Sequence, residues 1–189
     1  MLEFNESDHT YWLDGKRLVS VTQVLEVLSP FNATAAGIEA GTRGTIIHDA
    51  AQFFDEECLD IDAVPEDCIG HVLAWQKFRA ECKFEVLDIE KTFAHVKHGY
   101  AGRVDRIVAM GNIGVLLDIK SGAERPTHPL QLAAYVEGYQ HWTENKIKKS
   151  ACVYLRGDGT YRVRWQDDTS ALYDFLAALR CYRWKERNQ

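Results

Sequence analysis

Residues 100–135 read YAGRVDRIVAMGNIGVLLDIKSGAERPTHPLQLAAY, and two strand-like runs open this stretch. Tyr100 to Ala109 and Ile113 to Ser121 are rich in Val, Ile and Leu, and Gly111-Asn112 between them suits a two-residue hairpin turn. That turn sets a register. With Met110 facing Ile113, Asp105 falls opposite Asp118 and Arg103 opposite Lys120. Facing Cβ atoms lie about 4.5–5.5 Å apart, so two carboxylates placed this way repel unless something neutralises them. A divalent cation does so, since hard ions such as Mg²⁺ prefer carboxylate oxygens. Lys120, two residues beyond Asp118, shares its strand face. An isolated D-x-K is most often a solvated strand end, but Asp118 closes the apolar run Ile113 to Leu117, where a buried strand has little use for a charge. Downstream, Pro129 suits the first turn of a helix, and Gln131 and Tyr135 then share a face at i and i+4.

Working outward toward the N-terminus, Phe84 to Ala94 reads as a third strand, returned to Tyr100 by a turn around Val96 to Gly99. An even loop count sets Glu90 beside Asp105 as a third acid. His71 to Cys82 is an amphipathic helix with Val72, Leu73, Trp75, Phe78 and Arg79 on its packed face, and His71 reads as structural. Asp60 to Asp67, acidic and carrying Pro65, reads as a surface loop. From about Ala33 to Cys58 the pattern is helical, with Ile46, Ile47, Ala50, Ala51, Phe53 and Phe54 as the apolar stripe and His48 inside it. A lone histidine there is more often structural than a ligand. Gly41-Thr42-Arg43-Gly44 is unusual inside a helix, and close approach of a backbone or a substrate would explain its glycines.

Residues 3–19 alternate loosely around Asp14-Gly15, a hairpin signal. A short helix over Gln23 to Leu28 follows, capped by Ser20 or Thr22 and stopped by Pro30. Its start is either a small motif covering a sheet edge or a cradle in which hydroxyls and amides hold a phosphate. Toward the C-terminus, Ser150 to Leu155 and Tyr161 to Gln166 form a second hairpin around Gly157-Asp158-Gly159. Residues 169–187 close as an amphipathic helix on Leu172, Phe175, Leu176, Leu179 and Tyr182.

Composition narrows the function classes. The 189 residues are 46% hydrophobic and 11% aromatic, enough for one compact core and against disorder. No apolar run approaches a membrane span, and Met1-Leu2-Glu3-Phe4-Asn5-Glu6 is not a basic-then-apolar leader, so an intracellular, cytoplasmic protein without membrane association is expected. The five cysteines match no common zinc or iron–sulfur spacing and are expected as reduced thiols, mostly in the core. A net charge of −6 argues against coating nucleic acid by bulk electrostatics. The balance is uneven, with residues 140–189 carrying ten Lys+Arg against six acids. This suits a nuclease whose metal offsets its own carboxylates, and equally an ordinary soluble protein.

The ordered series Gly41-x-x-Gly44-x-x-x-His48, Gly102-x-x-Asp105, Asp118-Ile119-Lys120 and Gln131-x-x-x-Tyr135 resembles the PD-(D/E)XK nuclease superfamily, in particular its RecB-type exonuclease branch. The match runs from about 41 to 139. His9-x-Tyr11, Asp14-Gly15 and Ser20-Val21-Thr22 are similar to small stand-alone members, many of them phage or prophage encoded. The resemblance implies a restriction-endonuclease-like α/β fold, a central mixed sheet flanked by helices, in a single domain over 1–189. The hairpin and short helix would take 1–32, the catalytic core 41–142, and the second hairpin and helix 150–189. It implies that His48, Asp105, Asp118 and the Ile119 backbone carbonyl, with Glu90 as a further acid, bind one or two Mg²⁺ or Mn²⁺ ions. Lys120 would orient or deprotonate the attacking water, and Gln131 and Tyr135 would position Lys120 and the phosphate. Ser20, Thr22, Thr42, Arg43 and Arg103 are the candidate substrate contacts. Relatives that carry a four-cysteine iron–sulfur cluster differ here, and none is expected.

The implied activity is a metal-dependent DNA exonuclease in recombination, repair or phage DNA processing, in a bacterial or phage-infected host cell. DNA would be the substrate, and a helicase, single-strand-binding or recombination protein a partner. A structure-specific or nicking endonuclease of the same fold, and a non-catalytic DNA-binding or assembly subunit, are the alternatives.

Overall fold

The computed structural model describes residues 1–6, 8–29 and 35–188, with side chains from 37 onward in the last of these. Its strands are β1 (Leu2–Asn5), β2 (Thr10–Leu13), β3 (Lys16–Ser20), β4 (Glu85–His95), β5 (Tyr100–Met110), β6 (Ile113–Lys120), β7 (Ile147–Leu155) and β8 (Tyr161–Trp165). Its helices are α1 (Val21–Leu25), α2 (Ala35–Asp55), α3 (Glu66–Cys82), α4 (His128–Thr143) and α5 (Ala171–Asn188). All eight strands join one mixed sheet in the order β1-β2-β3-β5-β6-β7-β8, with β4 also paired to β5. No helix among the described residues is long and apolar enough to cross a membrane.

Turn chemistry explains the hairpins. Asp14 and Gly15 both take positive φ, 49° and 78°, as a tight turn between Leu13 and Lys16 requires. Gly111 does the same at 59°, and Met110 pairs with Ile113 as the two-residue loop demands.

The central irregularity of the sheet lies on one edge of β5. β4 follows one edge antiparallel over almost its full length. The other edge changes partner: β3 runs parallel to it at Val19↔Tyr100 and Ser20↔Ala101, and β6 runs antiparallel from Met110↔Ile113 to Arg106↔Leu117. Between Ala101 and Arg106 that edge has no ladder partner. The C-terminal ends of β3 and β6 therefore converge on a notch at residues 102–105, a local equivalent of the switch points where α/β sheets bind ligands.

Alternation along the strands feeds two cores. Leu116 packs with Phe93, Tyr100, Leu132, Tyr139 and Phe175 on the side of α4 and α5. Val115, Leu117 and Ile119 pack with Ile47, Ala51, Trp75 and Phe78 on the side of α2 and α3. Phe93 fixes the height of α4 over the sheet. A Cβ on Gly138 of α4 would lie 2.0 Å from the Phe93 ring, and one on Gly102 of β5 would lie 2.7 Å from it. Both positions must be glycine for the ring to fit between helix and strand.

Several boundaries and burials differ from the sequence reading. α1 begins at Val21, because Ser20 forms a capping box with Gln23, and it ends at Leu25. Pro30 and Ala33, read as a helix stop and start, lie outside the described residues. α3 begins at Glu66, within the stretch read as loop, with Glu66 and Asp67 complementing the positive end of the helix. Phe53 and Leu73 are exposed, at 46% each, so neither belongs to its packed stripe. Of the cysteines only Cys68 and Cys152 are buried, whereas Cys58, Cys82 and Cys181 are exposed, contrary to a mostly core placement. Among the described residues nothing presses on Gly41, a Cβ on Gly44 would meet only Ser121 Oγ at 3.7 Å, and no backbone approach explains this pair.

Candidate active site

A cavity of about 590 Å³ opens at the notch. Ser20 and Thr22 enter it from the end of β3 and the start of α1, His48 from α2, Glu90 from β4, Arg103 and Asp105 from β5, Asp118 and Lys120 from β6, and Gln131 and Tyr135 from α4. Seven elements, separated by as much as 115 residues of chain, thus meet at the place where one edge of β5 lacks a strand partner.

Asp105 stands in for the missing ladder bond. Its Oδ2 accepts the backbone N–H of Ile119 at 2.6 Å, and His48 Nδ1 lies 3.6 Å from the same oxygen. Asp105 and Asp118 therefore do not form the facing ladder pair that the turn register implies. The ladder ends one step earlier and the carboxylate bridges the gap. Arg103 and Lys120 likewise do not face each other: Arg103 Nε pairs with Glu90 Oε2 at 2.9 Å, and Lys120 Nζ pairs with Asp118 Oδ2 at 2.7 Å.

Two groups of candidate side chains result. His48, Glu90 and Asp105 each offer a ligand atom, all within 4.8 Å of one another. Glu90 reaches this spot because the turn after His95 has four residues, His95 pairing with Tyr100, and because Glu90 itself takes φ 46°, rare for a non-glycine residue and concentrated at functional sites. The second group is Asp118 with Lys120. Cys152 Sγ on neighbouring β7 donates to Asp118 Oδ2 at 3.4 Å. Gln131 Nε2 donates to the Tyr135 hydroxyl at 2.9 Å, which leaves the phenol's own proton free for another acceptor.

The electrostatics show a site short of positive charge. Burial, then the charge of Asp105, pushes the Glu90 carboxyl up to about 7 against the pull of Arg103 and Arg106. Burial and Asp105 also raise Asp118 above the carboxylate range, although Lys120 opposes them. Burial acts to lower Lys120, but the carboxylates of Asp118 and Asp105 outweigh it and hold the ammonium above its ordinary range. The Tyr135 phenol is pushed well up, first by burial and then by Asp118 and Asp105, so it stays a proton donor. An imidazole and two clustered carboxylates, imperfectly neutralised, form a donor set that fits a divalent cation such as Mg²⁺ or Mn²⁺.

Behind the cavity lies a network that the sequence reading missed. Arg106 is fully buried; its Nε pairs with Asp55 Oδ2 at 2.7 Å, and its Nη1 reaches Glu90 Oε1 at 3.3 Å and the Asp105 carbonyl at 2.6 Å. Asp55 also pairs with Arg79 Nε at 2.9 Å and accepts from Trp75 Nε1 at 3.2 Å. Arg106 thereby ties the end of α2 to Glu90 and to the backbone of Asp105. Its one sequence signal is an arginine directly before the apolar run Ile107 to Met110. Cys152 gave no signal, because its role follows from β6–β7 pairing at Asp118↔Cys152.

Not every candidate residue reaches the cavity. Thr42 and Arg43 line a separate hollow with Ile38, Ile46 and Cys68, on the side of α2 that faces the start of α3. Neither of these two candidate substrate contacts lines the active-site cavity. Ser20 is committed to the α1 cap: its Oγ accepts from Gln23 N at 3.1 Å and lies 2.9 Å from Thr22 Oγ1. Arg103 divides its charge between Glu90 and Glu6 and covers the Phe4 ring. Ile119 is fully buried and holds Asp105 through its N–H.

No protein-family model matches the chain, and no curated protein matches it in sequence. Solved structures do match. An alkaline exonuclease (LHK-Exo) from Laribacter hongkongensis aligns over 90% of this chain and 92% of its own, at 16% identity and a TM-score of 0.43. LHK-Exo in complex with dAMP aligns over 89% and 87%, at 15% identity and a TM-score of 0.44. SSO0001 aligns over 86% and 82%, at 14% identity and a TM-score of 0.39.

Proposed function

We propose that this chain is a metal-dependent deoxyribonuclease of the PD-(D/E)XK type that hydrolyses DNA from an end. The observation that carries the reading is the convergence, in one cavity, of the His48–Glu90–Asp105 trio with the Asp118–Lys120 pair. The choice of exonuclease rests on the motif series from Gly41 to Tyr135.

His48, Glu90 and Asp105 would hold the ion, with Asp118 and the Ile119 carbonyl as further oxygen ligands. A bound Mg²⁺ or Mn²⁺ supplies Lewis acidity and a lowered pKa for water. The chain's own groups do the rest. Lys120, kept as an ammonium by its two carboxylates, stands where negative charge develops on the phosphoryl oxygens as water adds and the leaving oxygen departs. Tyr135, whose oxygen is already used by Gln131, donates its proton into the cavity toward a phosphoryl oxygen. Cys152 and the Ile119 N–H keep Asp118 and Asp105 in place.

The test is digestion of end-labelled linear single- and double-stranded DNA, with a covalently closed circle alongside, in Mg²⁺, Mn²⁺ and EDTA. Metal-dependent loss of linear DNA, abolished by Asp118→Ala and Lys120→Ala with the circle intact, is the expected result. A cut circle assigns an endonuclease instead. Binding without cleavage under every condition removes the hydrolytic reading in favour of a DNA-binding subunit.

A further inference from the structure

A further hollow lies outside the candidate active site. It measures about 700 Å³ and lies where the β2–β3 hairpin, the β4–β5 turn and the end of α5 meet. Its rim holds four cations, Lys16, Arg17, Lys97 and Arg183, against one carboxylate, Glu186. In a chain of net charge −6 this is a local inversion of sign. Lys16, Arg17 and Lys97 are exposed and have no ion pair within 4 Å among the described residues. Arg183 is anchored: Nη2 donates to the carbonyls of His98 and Gly99, the latter at φ 58°, a conformation that favours glycine. The guanidinium is thus held in place before any ligand arrives, and among the described residues its Nε and Nη1 have no hydrogen-bond partner.

Position indicates what the hollow would hold. Val19 and Gln23 line it, while Ser20, Val21 and Thr22 line the active-site cavity, so the two adjoin at the β3–α1 junction. Gly99, just before β5, borders the hollow and Gly102 of β5 the cavity, three residues or about 10 Å apart at the rise of a strand. A ligand reaching both must be an extended polyanion. We propose that this basic hollow binds the phosphodiester backbone of the nucleic-acid strand whose bond lies in the active-site cavity, and so retains the strand between cuts. The proposal rests on the nuclease reading for the identity of the strand, but binding and cutting separate experimentally.

The experiment compares wild type with the triple variant Lys16→Ala/Arg17→Ala/Lys97→Ala. Binding of a labelled 30-nucleotide single strand is followed by anisotropy in EDTA from 50 to 400 mM salt, and cleavage of a dinucleotide is measured in Mg²⁺. Losing three phosphate contacts lowers the slope of log K against log salt by about 2 and weakens binding on the order of 100-fold at 0.1 M salt. Dinucleotide cleavage stays unchanged. Glu186→Gln, which removes the hollow's carboxylate, tightens binding and guards against misreading a folding defect. An unchanged salt slope in the triple variant overturns the proposal, as does an equal loss on the 30-mer and the dinucleotide. Retained DNA binding with lost sedimentation on phosphatidylserine vesicles overturns it in favour of a lipid surface. A reduced slope in a protein that cuts nothing supports the hollow's role and removes the nuclease reading alone.

Discussion

Asp55 and Asp118 are carboxylates withdrawn from water, with side chains 0% and 1% exposed, and each has a cation 2.7 Å away. Their surroundings differ in sign. Asp55 meets two guanidiniums and an indole N–H. Asp118 meets one ammonium, which also feels Asp105, and its own carboxyl is held above the ordinary range by burial and by that neighbour. A buried charge surrounded by opposite charge fastens elements together, whereas one left short of compensation marks a place prepared for a ligand. The two clusters are joined by Glu90, which pairs with Arg106 on the fastening side and gathers with Asp105 and His48 on the reactive side.

That contrast can be broken in four ways. The largest effect is expected on catalysis: Lys120→Ala and Asp118→Ala lower the single-turnover cleavage rate about 10³–10⁴-fold, roughly 4–5 kcal/mol of barrier. Either variant cutting within tenfold of wild type would move the chemistry elsewhere. Next comes the fastening cluster. Arg106→Met leaves Asp55 and Glu90 buried without their shared cation and costs about 3–5 kcal/mol in urea unfolding. The double variant Asp55→Leu/Arg106→Met loses less than the two single losses added together, and an additive loss would show that the pair is not coupled.

A smaller effect is expected from His128, which bonds the Tyr154 hydroxyl at 2.7 Å. Burial, then the charges of Lys120 and Arg125, pushes its imidazole down to about 4. The folded state therefore takes up this proton less readily than the unfolded chain. Its contribution is present above about pH 6.5 and is lost as pH falls toward about 4. With solvent screening discounted, the loss is on the order of 1–2 kcal/mol. His128→Asn should flatten the acid limb of the stability profile, and a constant difference from wild type between pH 7 and 4 contradicts the assignment. Smallest is Glu90→Gln in EDTA. Because the Glu90 carboxyl is pushed up to about 7, its ionisation costs stability progressively as pH rises from about 4.5 through 7. The variant gains on the order of 1 kcal/mol at pH 8 while losing metal-dependent cleavage. A destabilised variant would place Glu90 with the fasteners.

The candidate site was legible in the sequence wherever local chemistry set geometry. Gly111-Asn112 fixed Met110 against Ile113, the i, i+4 spacing brought Gln131 to Tyr135, and Pro129 marked the start of α4. Glu90 depended on an even loop, and the loop is even. Ladder pairing at Asp105 did not follow from the turn, because the partner change of β5 from β3 to β6 is set by chain topology. Thr42 and Arg43 show periodicity left unused: they lie six and five residues before His48 on α2, off the face that His48 shares with Gly44 and Gly41. Arg106 and Asp55 are 51 residues apart, and nothing local links them.

Phe93, wedged between Gly102 and Gly138 and edge-on to Tyr135 at 5.9 Å, acts as a spacer of fixed thickness. The reach of Gln131 and Tyr135 into the cavity is therefore gauged by one uncharged benzene ring. Among relatives drifting apart, these three positions should vary together or not at all, since a methyl group on either glycine would lift the helix and carry the phenol with it. Covariation between two glycines and a phenylalanine would then report on the alignment of the cavity, although neither Phe93 nor Gly138 lines it.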